Sequence, residues 1–86
     1  MLRITESTNG KHRTLRLEGK LLEPWTAELR AVVGPLDAPH GVTLDLGQVS
    51  FIDERGAELI RTLTQAGVRV VGCSRFLADI LRLEAC

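Results

Sequence analysis

The chain has 86 residues, 44% of them hydrophobic and 26% charged, and its 11 basic and 11 acidic side chains give a formal net charge of zero. A chain this short buries about two-thirds of its unfolded surface, enough for one modest core, so residues 1–86 read as a single globular domain. Balanced charge argues against nucleic acid or an anionic membrane as the main partner, and no apolar run approaches the roughly 18–20 residues that span a bilayer.

The opening residues Met1-Leu2-Arg3-Ile4-Thr5-Glu6 alternate and include an acid, unlike a signal peptide, which makes the cytoplasm the expected location. Leu2 and Ile4, then Leu15 and Leu17, point one way while Arg3, Thr5, Arg16 and Glu18 point the other. Such a period of two predicts half-buried strands near Leu2–Glu6 and Thr14–Glu18. Asn9-Gly10 is a hairpin signal between them, with a connection longer than two residues. Lys11, His12 and Arg13 read as a solvated turn. Trp25, Leu29, Val32, Val33 and Leu36 then line one face of a helix. Pro24 suits its first position, and Gly34-Pro35 stops it. The spacing of Trp25 places it in the core, with an interface as the alternative.

After the loop Pro39-His40-Gly41, the residues Val42, Leu44 and Leu46 mark a third strand. Gly47–Asp53 reads as an irregular loop whose Val49, Phe51 and Ile52 pack inward. A second helix is expected from Glu54 to Gln65, with Gly67 as its C-terminal glycine. Val68, Val70 and Val71 form a fourth strand closed by Gly72. Ser74 caps a third helix carrying Phe76, Leu77, Ile80, Leu81 and Leu83 on its inner side. The result is an α/β fold, a small mixed sheet of about four strands with three helices in the order ββαβαβα.

Catalytic signatures are missing from the sequence: it has no glycine-rich phosphate loop, nucleophile elbow or His-Glu-x-x-His. Cys73 and Cys86 fit neither a CxxC pair nor a metal cluster, and a structural disulfide is not expected. His12 and His40 sit in polar loop sequence without a second ligand. Asp45 and Asp53 lie near the carboxyl end of the third strand, where ligands gather in parallel α/β sheets, and read as a strand-end acid and a helix cap rather than a metal pair. No enzyme activity, cofactor or metal is expected.

The segment Val42–Gly56, VTLDLGQVSFIDERG, is the most informative. Asp53 is placed to cap the second helix, accepting from the N–H of Arg55 or Gly56. Gly56 permits close approach of another backbone or a partner. Arg55 is a cation in a first helical turn, against the macrodipole, a placement that Glu54 and Glu58 can offset. It is either a salt-bridged surface arginine or a partner contact.

Asp45-Leu46, then Val49-Ser50-Phe51-Ile52-Asp53, then Gly56 before an apolar helix, resembles the signature of the STAS domain family, the anti-sigma-factor antagonists. The continuation Gly67-Val68-Arg69-Val70-Val71-Gly72-Cys73-Ser74 and the opening hairpin extend the likeness over nearly the whole chain. The resemblance implies a bacterial signalling role in transcription regulation, exerted through protein–protein interaction. In that family two serines, or close variants, follow the aspartate, and the second is phosphorylated by a partner kinase that doubles as an anti-sigma factor. Phosphorylation adds about −1.5 to −2 charges and breaks the complex. Here those two positions are Glu54 and Arg55, so the usual acceptor is replaced by a residue that a serine kinase cannot modify. Ser50 is a weak substitute acceptor, as is Thr62.

These readings imply a non-catalytic module that docks a regulatory partner through Ser50, Asp53, Glu54, Arg55, Gly56 and Glu58. The partner would be an anti-sigma factor or switch kinase. The alternative is an accessory subunit on the cytoplasmic ATPase of an ABC-type transport complex. Nucleotide or small-ligand binding at the helix amino terminus ranks lower, because Asp53 and Glu54 repel phosphate.

Overall fold

The computed structural model describes residues 2–34 and 41–81. The opening alternation forms a hairpin in which β1 (Leu2–Asn9) and β2 (His12–Leu21) pair antiparallel, from Leu2 opposite Gly19 to Asn9 opposite His12. Its connection is only the two residues Gly10 and Lys11, tighter than expected, with Gly10 at φ +64°. A left-handed first loop residue matches the twist of the flanking strands, and glycine adopts it without strain.

There follow α1 (Trp25–Val33), β3 (Val42–Ile52), α2 (Glu54–Gln65), β4 (Arg69–Val71) and α3 (Arg75–Leu81). The order ββαβαβα and the mixed four-stranded sheet are those expected. The strands lie side by side as β1-β2-β3-β4, with β2, β3 and β4 parallel and β1 antiparallel at one edge. Pro35, Leu36, Pro39, His40, Leu83 and Cys86, for which the sequence suggested positions, lie outside the described residues.

One sheet face is apolar. Leu15 and Leu17 of β2, Leu44 and Leu46 of β3 and Val70 of β4 are buried with Leu29 of α1, Ile60 and Leu63 of α2 and Leu77 of α3. Trp25 and Val32 pack against this core half-buried. Among the described residues no helix is long and apolar enough to cross a membrane. The second helix has the bounds expected from its periodicity and ends in a Schellman motif. The Val68 N–H donates to the Leu63 carbonyl at 3.0 Å and the Gly67 N–H to the Thr64 carbonyl at 3.1 Å, with Gly67 at φ +104°. The Ser74 Oγ caps α3 by accepting from the Leu77 N–H at 3.1 Å.

Several local expectations are corrected. Pro24 is the N-cap of α1 rather than its first helical residue, and follows a cis Glu23–Pro24 bond. The lack of an N–H is as harmless at the one position as at the other. Phe76 is 65% exposed instead of facing the core, which α3 meets with Leu77 and Leu81. Cys73 packs against the core, but its sulfur is disulfide-bonded where a free thiol was expected; spacing alone does not reveal pairing.

The basic run is not a solvated turn either. Only Lys11 lies in the turn, while His12 and Arg13 begin β2. The His12 Nε2 lies 2.8 Å from the Thr43 Oγ1, joining β2 to β3. Arg13 donates to the Val32 and Val33 carbonyls at 2.7 and 3.2 Å, and its Nε donates to Glu6 Oε2 at 3.0 Å. A cation at a helix carboxyl end satisfies orphan carbonyls and complements the macrodipole. Arg13 thus ties β1 and β2 to the end of α1.

The hydrogen bond from Arg13 holds the Glu6 carboxyl below its usual value, and the nearby positive charge acts in the same direction. A lowered folded value means stabilisation that is present above the unfolded pKa and lost as pH falls through the folded one. Glu6→Gln is therefore expected to be less stable than the wild type at neutral pH, with the gap closing under acid in urea melts. A gap that persists under acid contradicts this. Arg13→Ala also uncaps α1 and is expected to cost about 1 kcal/mol at neutral pH.

Candidate functional site

The carboxyl ends of β2 and β3 converge on the start of α2. Between Arg16 and Leu21 the pairing of β2 with β3 shifts twice, Arg16 opposite Asp45 giving way to Glu18 opposite Gln48, and Gly19 opposite Val49 to Lys20 opposite Phe51. Each shift inserts one extra residue in β3, a bulge that locally re-aims side chains. The stretch expected as an irregular loop is therefore strand up to Ile52. The second bulge falls at Ser50, whose hydroxyl donates to the Gly19 carbonyl at 3.1 Å. Ile52 then points into the core, whereas Phe51, expected inside, is 49% exposed opposite Lys20.

Asp53 ends the strand with extended backbone and caps α2, its Oδ1 accepting from the Gly56 N–H at 2.7 Å. Its Oδ2 accepts from the Glu23 N–H at 3.3 Å, and its own N–H donates to the Leu21 carbonyl at 3.2 Å. One carboxylate thus joins the exit of β2 to the entry of α2.

Gly56 is buried at the same junction. A Cβ there would stand 2.5 Å from the Leu21 carbonyl oxygen and 2.9 Å from Ile52 Cγ1. The close approach foreseen for this glycine is made by the molecule's own β2. Glu54, Arg55 and Glu58 are exposed, while Ala57, Leu59 and Ile60 are buried. The first turns of α2 therefore present a charged outer face over a sealed inner one.

Neither Glu54 nor Glu58 forms an ion pair with Arg55 among the described residues. Arg55 instead lines a cavity of about 140 Å³ between α1 and α2, with Glu23, Thr26 and Arg30 on one wall and Glu58 and Thr62 on the other. The α1 wall was missed by sequence reading, because nothing local links residues 23–30 to residues 55–62. Among the described residues no group of three or more His, Cys, Asp or Glu side chains could hold a metal. Asp45 and Asp53 are engaged separately, Asp45 Oδ1 accepting from the Gly47 N–H at 2.9 Å.

Gly56→Ala is expected to cost about 1–3 kcal/mol in urea unfolding, because backbone as well as side chain must yield. Stability within about 0.5 kcal/mol of wild type, the range of a neutral surface change, contradicts the packing described.

No protein-family profile matches the chain, and no curated protein does. Solved structures do. An anti-sigma-factor antagonist STAS domain from Rhodobacter sphaeroides superposes with a TM-score of 0.66 at 19% identity, covering 83% of this chain and 86% of that one. The anti-sigma factor antagonist SpoIIAA in its unphosphorylated form gives 0.71 at 14% identity, covering 99% and 84%. A DUF3478-family protein with a SpoIIAA-like fold from Shewanella loihica PV-4 gives 0.55 at 13%, covering 94% and 74%. The chain has the STAS fold of the anti-sigma-factor antagonists.

Proposed function

We propose that this protein is a non-catalytic interaction module that docks a regulatory protein, of the anti-sigma-factor or switch-kinase kind, through the Ser50–Gly56 segment and the outer face of α2. One observation carries this reading. On the fold of antagonist domains, α2 starts at a carboxylate-capped junction that turns Glu54, Arg55 and Glu58 to solvent and leaves Arg55 without a partner among the described residues. Asp53 and Gly56 give the surface its shape from within, and the three charged side chains are its contacts.

By the sequence resemblance to the antagonist family, Arg55 falls on the position where that family carries its phosphorylated serine. A guanidinium accepts no phosphate from a serine kinase, and its charge is opposite to that of phosphoserine. Complex formation here would therefore not be released by phosphorylation at that residue. Ser50, the substitute hydroxyl, is committed to the Gly19 carbonyl.

The test pairs purified wild type and Arg55→Ser with anti-sigma-factor kinases from the source organism, with and without ATP. Wild type is expected to bind one of them with an affinity unchanged by ATP and without label in residues 50–56. Arg55→Ser is expected to gain label and lose affinity by tenfold or more once ATP is added. Label in this segment of the wild type, or no binding to any of the kinases, contradicts the proposal.

A further inference from the structure

The groove between α1 and α2 has an unusual charge arrangement. Glu23 and Arg30 stand on one wall and Arg55 and Glu58 on the other. None of these four side chains makes a hydrogen bond or ion pair among the described residues. Arg55 and Glu58 are one helical turn apart on the exposed face of α2 and yet do not pair with each other. Arg55 also opposes the macrodipole in the first turn, so an external carboxylate would relieve it.

A simple anion meets two carboxylates in this groove, and a simple cation meets two guanidiniums. The complementary surface must bring both signs, alternating at the same spacing. A two-fold axis generates such a surface from the groove itself, because in an isologous contact residue i meets j while j meets i. The zero net charge of the chain removes long-range repulsion between copies.

We infer that the occupant of this groove is a second copy of the chain. The α2 helices lie antiparallel about the axis, with Arg55 of each copy facing Glu58 of the other. The buried floor adds little apolar area, since Leu59 is only 4% exposed, so the contact is electrostatic, salt-sensitive and transient. It covers the surface assigned above to a regulatory partner, which must then compete with self-association. The test uses the protein alone, so its failure leaves the docking proposal standing.

Sedimentation of the wild type over roughly 10–500 μM, a range suited to weak transient contacts, should show a reversible rise from monomer towards dimer mass that half-molar salt suppresses. Arg55→Glu and Glu58→Arg should each weaken association about tenfold or more. An equimolar mixture of the two should recover wild-type association, because each reversed charge then faces its opposite. Arg55→Gln and Glu58→Gln, which remove charge without adding repulsion, should weaken it to a smaller degree. A wild type that is monomeric throughout, single reversals that associate like wild type, or a mixture no stronger than its components would each overturn the inference.

Discussion

The carboxylate of Asp53 is the constraint on which the rest of the site depends. It accepts from the Gly56 and Glu23 N–H groups while its own N–H donates to the Leu21 carbonyl. Those contacts join two neighbouring parallel strands and the helix that leaves one of them. Gly56 completes the junction by letting the first turn of α2 seat on Leu21 at a distance no side chain permits. With the inner side fixed, the outward direction of Glu54, Arg55 and Glu58 follows from helical geometry alone.

The sheet supplies the platform. Three parallel strands bring their carboxyl ends to one edge, where crossover helices begin and where ligands of open α/β sheets gather. The bulges in β3 let an 11-residue strand run beside β2 and still deliver Ile52 to the core and Asp53 to its cap. At the other end, Arg13 ties the hairpin to the carboxyl end of α1. The groove between α1 and α2 is thus bounded by two helices that are each held to the sheet by polar contacts at one end.

Much of this was legible in the sequence wherever a single physical signal acted alone. The 3.6-residue period of Leu59, Ile60 and Leu63 marked α2, and Asp53, Gly67 and Ser74 marked helix ends by their own chemistry. Reading failed where two signals collided. The bulges at Leu46–Gly47 and Ser50 break the alternation of β3, so strand looked like loop and Phe51 looked buried. His12 and Arg13 looked like part of a solvated turn because their partners, Thr43 for the one and Val32 and Val33 for the other, are remote in sequence. The groove was illegible for the same reason: its walls are joined only by tertiary packing.

The junction at Asp53 is tested most directly by amide hydrogen exchange, residue by residue, on the wild type and Asp53→Ala. The Gly56 and Glu23 amides should both be protected in the wild type and should both lose most of that protection in the variant, while the amides of Leu15 and Leu44 remain slow. Gly56 and Glu23 amides that stay protected without the carboxylate would contradict the account, because something other than Asp53 would then hold the start of α2.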